Sequence, residues 1–116
     1  MNSSLYILVR NDLPTGLQMA QACHAMSVFA HEHPAIYKEW FDASNNLVVL
    51  AVPSIKKLQA WQAAAGARNF PTSSFQEPDL GDQLTAIAAM PDDRRFFSAL
   101  PCAGKRVPPL DRRALT

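Results

Sequence analysis

The chain has 116 residues, enough for one domain at a prior of roughly 100 to 200 residues each, and a chain of this size buries about 60 to 70% of its unfolded surface. With 48% hydrophobic and 18% charged residues it is too apolar for disorder, while its longest fully apolar run, Leu47 to Pro53, is too short for a helical membrane span. Eleven Lys and Arg against ten Asp and Glu leave a formal charge of +1, so a polyanion has to be met by a local patch rather than by bulk charge.

Leu5 to Val9 reads as a buried strand, stopped by Arg10, Asn11, Asp12 and Pro14. A helix of about 18 residues follows from Pro14 or Thr15. It is rich in Ala, Met, Gln and Leu, has Pro14 near its first turn where a missing N–H costs nothing, and is closed by Pro34. A short amphipathic helix is expected over Pro34 to Phe41, with Ile36, Tyr37 and Trp40 on one face, before the polar loop Ala43 to Asn46. Leu47 to Val52 is the clearest strand, and its unbroken apolar character predicts a central position with helices on both sides. Ser54 is placed to cap a helix over Ile55 to Ala65, which Gly66 is expected to stop.

Asn69 to Phe75 is expected to be an edge strand, since Pro71 cannot donate to a ladder. Leu84 to Met90 reads as a further strand ended by Pro91, and Asp92 is placed to cap a last short helix through Leu100. Strands separated by helices predict an α/β fold, a three-layer α/β/α sandwich around a four-stranded mixed, mainly parallel sheet. The domain is expected over residues 1–100. Residues 101–116, with three prolines and the four cations Lys105, Arg106, Arg112 and Arg113 against Asp111, read as a basic extended tail, disordered in isolation.

Cys23 and Cys102 lie far apart without a metal spacing, which suits reduced thiols in the cytoplasm. No charged leader with an apolar run and cleavage site opens the sequence, which gives the same expectation. Four glycines at 16, 66, 81 and 104 cannot build a phosphate-binding loop, so the common nucleotide-binding classes are set aside. His31 and His33 flank Glu32 and fall about 200° apart on a helix, so no metal site is expected there.

Two clusters remain as candidates for chemistry. On the first helix Leu17, Gln21 and His24 make one stripe, in which an amide and an imidazole one turn apart need either water or a cleft with hydrogen-bonding groups. The turn before the last strand carries Glu77, Asp79 and Asp82. It reads as a solvated acidic loop, or as a source of carboxylates that orient a water in general-base chemistry.

Residues Ile7 to Leu13, then Gly16, then Ala20-Gln21-Ala22-Cys23-His24-Ala25, resemble the opening of the type 2 peptidyl-tRNA hydrolase family: a strand, V-R-x-D-L, G-K, and A-Q-x-x-H-A on the first helix. The resemblance covers roughly residues 4 to 100, and the family fold, a four-stranded mixed sheet between helical layers, agrees with the element order. It implies hydrolysis of the ester joining a peptide to the 3′ ribose of tRNA, with tRNA as partner, no cofactor, no metal, no membrane and a homodimer. Trp40, Phe41 and Phe96 are the exposed apolar candidates for that contact.

By the same resemblance the family lysine falls on Leu17, its aspartate on Glu77 or, less well, Asp79, and its threonine on Thr85 beyond a shortened turn. Arg10, Asp12, Gln21 and His24 match directly. The scheme implied is a water activated by His24 or a carboxylate, positioned by Gln21, with Arg10 or a backbone N–H stabilising the oxyanion. The cations Lys105, Arg106, Arg112 and Arg113 would meet tRNA phosphates. Leu17 also leaves open a non-catalytic tRNA- or protein-binding homologue, and the shortened turn leaves open a hydrolase of a different ester or amide.

Overall fold

The structure is a computed structural model and describes residues 4–103. The elements are β1 (Ser4–Arg10), α1 (Thr15–Glu32), α2 (Pro34–Ala43), β2 (Asn46–Val52), α3 (Ile55–Arg68), β3 (Thr72–Glu77), a single 3-10 turn (Pro78–Leu80) and β4 (Gln83–Ala89). The strands form one sheet in the order β2-β1-β4-β3. Side chains alternate across it. Leu5, Ile7, Val9, Ala86 and Ala88 meet Ala25 and Phe29 of α1 and Trp40 of α2 on one face. Leu8, Leu50, Val52, Ile87 and Ala89 meet Leu58 and Ala65 of α3, with Phe70 and Phe97, on the other. The result is the three-layer sandwich expected from the element order.

The sheet is mixed, but only β1 and β2 pair in parallel, while β4 runs antiparallel to both β1 and β3. "Mainly parallel" therefore overstates it. The physical reason is the tight connection from β3 to β4, which is too short for a crossover and makes a hairpin, so β4 enters between β1 and β3 with reversed direction.

Strand β2 is not central. It lies at the end of the sheet, with Asn46 and Leu47 exposed and only Leu50 to Val52 buried. Its apolar run has a different cause: the chain returns along its outer edge. Ala51 N–H donates to Pro101 O (2.9 Å) and Ala103 N–H donates to Val49 O (2.8 Å), an antiparallel bridge that opposes Leu50 to Cys102. Residues 101–103, expected in the tail, thus belong to the sheet edge, and the rest of the tail lies outside the described residues. Strand β3 holds the opposite edge as expected.

One helix end and one whole helix differ from expectation. Ser54 caps α3, accepting from Lys57 N–H at 3.2 Å, but Gly66 does not stop the helix. It runs on to Arg68, and Asn69 supplies the left-handed residue (φ 59°) with its N–H on Gly66 O; a short polar side chain tolerates this conformation better than most. No helix forms between Asp92 and Leu100. Successive turns form instead, in which Phe96, Ser98 and Leu100 N–H each donate three residues back at 3.0 Å. The adjacent rings of Phe96 and Phe97 both pack on Trp61 and Phe70, and a helix at about 100° per residue would splay them apart.

That packing also corrects the apolar contact set. Phe96 is half-buried in this cluster, and Trp40 is only 3% exposed with its Nε1–H donating to Asn46 O, which leaves Phe41 as the exposed member. Among the described residues no helix is long and apolar enough to cross a membrane.

Candidate active site

Helix α1 lies across β3 and β4 with Gln21 facing down, and the sheet below it carries an irregularity. Phe75 pairs with Ala86, but the next residue, Gln76, pairs with Leu84, so Thr85 is an extra residue in β4. A bulge of this kind re-aims a side chain. Strict alternation back from Ala89 and Ile87 would send Thr85 toward α3. With the bulge, Thr85 joins Ala86 on the α1 face.

There Thr85 Oγ1 donates to Gln21 Oε1 at 2.5 Å, and Gln21 Nε2 donates to Glu77 Oε1 at 2.9 Å. Both Gln21 and Thr85 are 0% exposed, whereas Glu77 at the end of β3 is half-buried. The direction of the chain is forced. An ionised carboxylate only accepts, so Gln21 must present its NH2 to Glu77 and its carbonyl oxygen to Thr85, whose hydroxyl must then donate. The other possible acceptor for that proton, Phe75 O, is 3.4 Å away. No buried side-chain nitrogen or oxygen among the described residues lacks a partner.

The shortened acidic turn completes the carboxylate's setting. Pro78 to Leu80 form one 3-10 turn, Gly81 and Asp82 take positive φ, and Asp79 N–H donates to Glu77 Oε2 at 3.2 Å. Asp79 therefore contributes through its backbone; its side chain is exposed. The Gln21 amide, then the Asp79 N–H, and more weakly the charge of His24, hold the Glu77 carboxyl below the usual carboxylate range.

His24, one turn along α1 from Gln21, is exposed and lies flat against Phe75 of β3, with ring centroids 4.5 Å apart. Of the residues singled out from sequence, the fold thus brings Gln21, His24, Glu77, Thr85 and the backbone of Asp79 together. Leu17 is half-buried, one turn before Gln21 on the same helix stripe.

Arg10 and Asp12 stand beside this group in a different role. The guanidinium of Arg10, 6% exposed, grips Asp12 with two bonds of 2.9 Å and donates through Nη1 to Gln83 Oε1 (2.9 Å) and Leu84 O (3.1 Å). These bonds tie the end of β1 to the start of β4, just before the bulge, and hold the Asp12 carboxyl below its ordinary value. A guanidinium so committed braces the site instead of reaching into it. Lys105, Arg106, Arg112 and Arg113 lie outside the described residues.

Two features were missed from sequence. Gln83 as an Arg10 partner carried no signal. Phe75 did carry one, being a lone aromatic in the polar edge strand Thr72 to Gln76. A groove of about 260 Å³ lies on the other flank of α1, lined by Val9, Met19, Ala22, Cys23, Val49 and Ala103 among others. Cys23 and Gln21 are about 200° apart on the helix, so this groove and the polar chain share no wall. Cys102 pairs with Leu50 and so points to the α3 face, away from Cys23. Among the described residues no three His, Cys, Asp or Glu side chains gather closely enough to hold a metal ion.

A family model described as Peptidyl-tRNA hydrolase PTH2 matches residues 3–98. No curated protein matches the chain.

Because the folded state favours the ionised form of Glu77, its contribution to stability is present above pH 4.5 and is lost as pH falls through the depressed value. The expected titration midpoint of the Glu77 carboxyl, followed by NMR, lies below 4.5 and moves up in Gln21→Leu. A midpoint indifferent to that substitution contradicts the arrangement.

Proposed function

The chain belongs to the Peptidyl-tRNA hydrolase PTH2 family, and from that premise we propose that it hydrolyses the ester between a peptide and the 3′ oxygen of tRNA without metal or organic cofactor. The observation that carries the reading is the chain from Thr85 through Gln21 to Glu77, which fixes an anionic acceptor at the mouth of an otherwise apolar layer. In this mechanism Glu77 accepts a proton from water while the water oxygen attacks the ester carbonyl. The tetrahedral intermediate then collapses, and the same proton passes to the departing 3′ oxygen of the ribose. A carboxylate held below its ordinary pKa is a weak base that is always in its accepting form at neutral pH. Its strength as a catalyst lies in orientation.

Leu17 supplies no charge for the oxyanion, so stabilisation falls to neutral N–H donors. The loss of one such donor costs on the order of 3 to 4 kcal/mol, or about 10² to 10³ in rate. Arg10 and Asp12 act as a brace under β4. Lys105, Arg106, Arg112 and Arg113 meet phosphates of the tRNA, a contact that weakens steeply with salt. By the family resemblance the protein acts in the cytoplasm as a homodimer. The second reading is a binding protein that kept the fold without the reaction, and Leu17 is the observation that favours it.

Purified protein incubated with an N-blocked aminoacyl-tRNA is expected to release free tRNA, and Glu77→Gln is expected to lower the rate at least tenfold. Full activity in that variant removes Glu77 from the mechanism, and absence of release by wild type, with tRNA still retarded at low salt, selects the binding reading. Leu17→Lys is expected to raise kcat by about tenfold or more, since it adds a cation on the half-buried stripe beside Gln21. A merely destabilised, equally slow variant shows instead that this position points into the core.

A further inference from the structure

Ring pairs elsewhere in the described chain meet tilted or edge-on, with planes inclined by 40° to 87°. His24 and Phe75 differ, their planes being inclined by only 20°. Phe75 is partly buried against the α1 core, and His24 lies over it as an exposed residue that no second ring covers among the described residues. Its ring nitrogens have no hydrogen-bond partner among them either. The pair is thus a flat surface, backed by the core on its Phe75 side and ending in an open aromatic residue.

Its position relative to the carboxylate matters as much as its shape. Phe75 and Glu77 are two residues apart on β3, on the same side of the sheet and about 7 Å from each other along the strand. That is comparable to the reach of a nucleoside from its base to its own 3′ oxygen. Single-stranded ends of RNA are recognised by stacking of their unpaired bases on aromatic and histidine rings.

We propose that the stacked pair His24–Phe75 is a platform for a nucleobase, the unpaired 3′-terminal adenine of the acceptor end, which sets the ester-bearing ribose over Glu77. The proposal rests on the hydrolase reading for the identity of the base, but its chemistry is binding alone. His24 then works through its ring face and not as the proton acceptor.

The test uses the trinucleotide CCA, which binds without being hydrolysed, titrated into the full chain and followed by NMR. The ring protons of His24 are expected to move upfield. His24→Ala is expected to weaken CCA binding by about 5- to 150-fold, equivalent to about 1 to 3 kcal/mol for one base–aromatic stack, and His24→Phe to restore most of it. With N-blocked aminoacyl-tRNA the same pair is expected to act on KM, raised in the alanine variant and recovered in the phenylalanine one.

No movement of the His24 protons at millimolar CCA overturns the platform. So does a loss of kcat in both variants with CCA affinity unchanged, which makes the imidazole the proton acceptor. The two readings fail separately: CCA binding through His24 without any ester hydrolysis keeps the platform and removes the hydrolase, whereas hydrolysis with CCA affinity indifferent to His24 does the reverse.

Discussion

A buried primary amide has to be satisfied at both ends, and Gln21, 0% exposed within a helix face of Ala, Met and Phe, imposes that demand on everything around it. Leaving either end unpaired costs about 1 to 3 kcal/mol. The sheet meets the demand twice. An extra residue in β4 turns Thr85 inward to serve the carbonyl end, and the last residue of β3 brings Glu77 to serve the amino end. In the short polar turn that follows, the Asp79 N–H donates to the second carboxylate oxygen. One side chain thus links a core requirement to the geometry of a surface acid.

Arg10 supports the same region from below. Its four bonds to Asp12, Gln83 and Leu84 leave little freedom to the strand ends on either side of the bulge. An ion pair with one member 8% and the other 40% exposed adds modest stability. The Arg10 bonds to Gln83 and Leu84 also cross from β1 to β4 next to the bulge, where they oppose a one-residue slip. Leu17, half-buried one turn before Gln21, takes no part in these bonds, so the polar chain assembles without a cation at that position.

Much of the fold was legible because it rests on local signals. Pro14, Pro34 and Ser54 mark helix boundaries within a residue or two, and apolar periodicity marks the layers. The errors share a cause in tertiary contacts. Strand β2 reads as central because its outer edge is covered by Pro101 to Ala103, a pairing between residues fifty positions apart that composition does not announce. The segment after Pro91 reads as helical because its cap and spacing are right, but two neighbouring phenylalanines seek the same aromatic cluster. In the site, the stripe of Gln21 and His24 was visible at helical spacing. The inward turn of Thr85 was not, since a bulge depends on register between two strands and leaves no mark in either alone.

In the proposed mechanism a hydroxyl sealed in the protein interior governs a reaction at its surface. The most direct measurement is turnover of N-blocked aminoacyl-tRNA by Thr85→Val, compared with wild type at a temperature where circular dichroism shows both to be folded. The expected result is a fall in kcat of about tenfold or more with little change in KM, because Gln21 is then free to rotate and Glu77 loses its orientation. Turnover by the folded variant equal to that of wild type would contradict it.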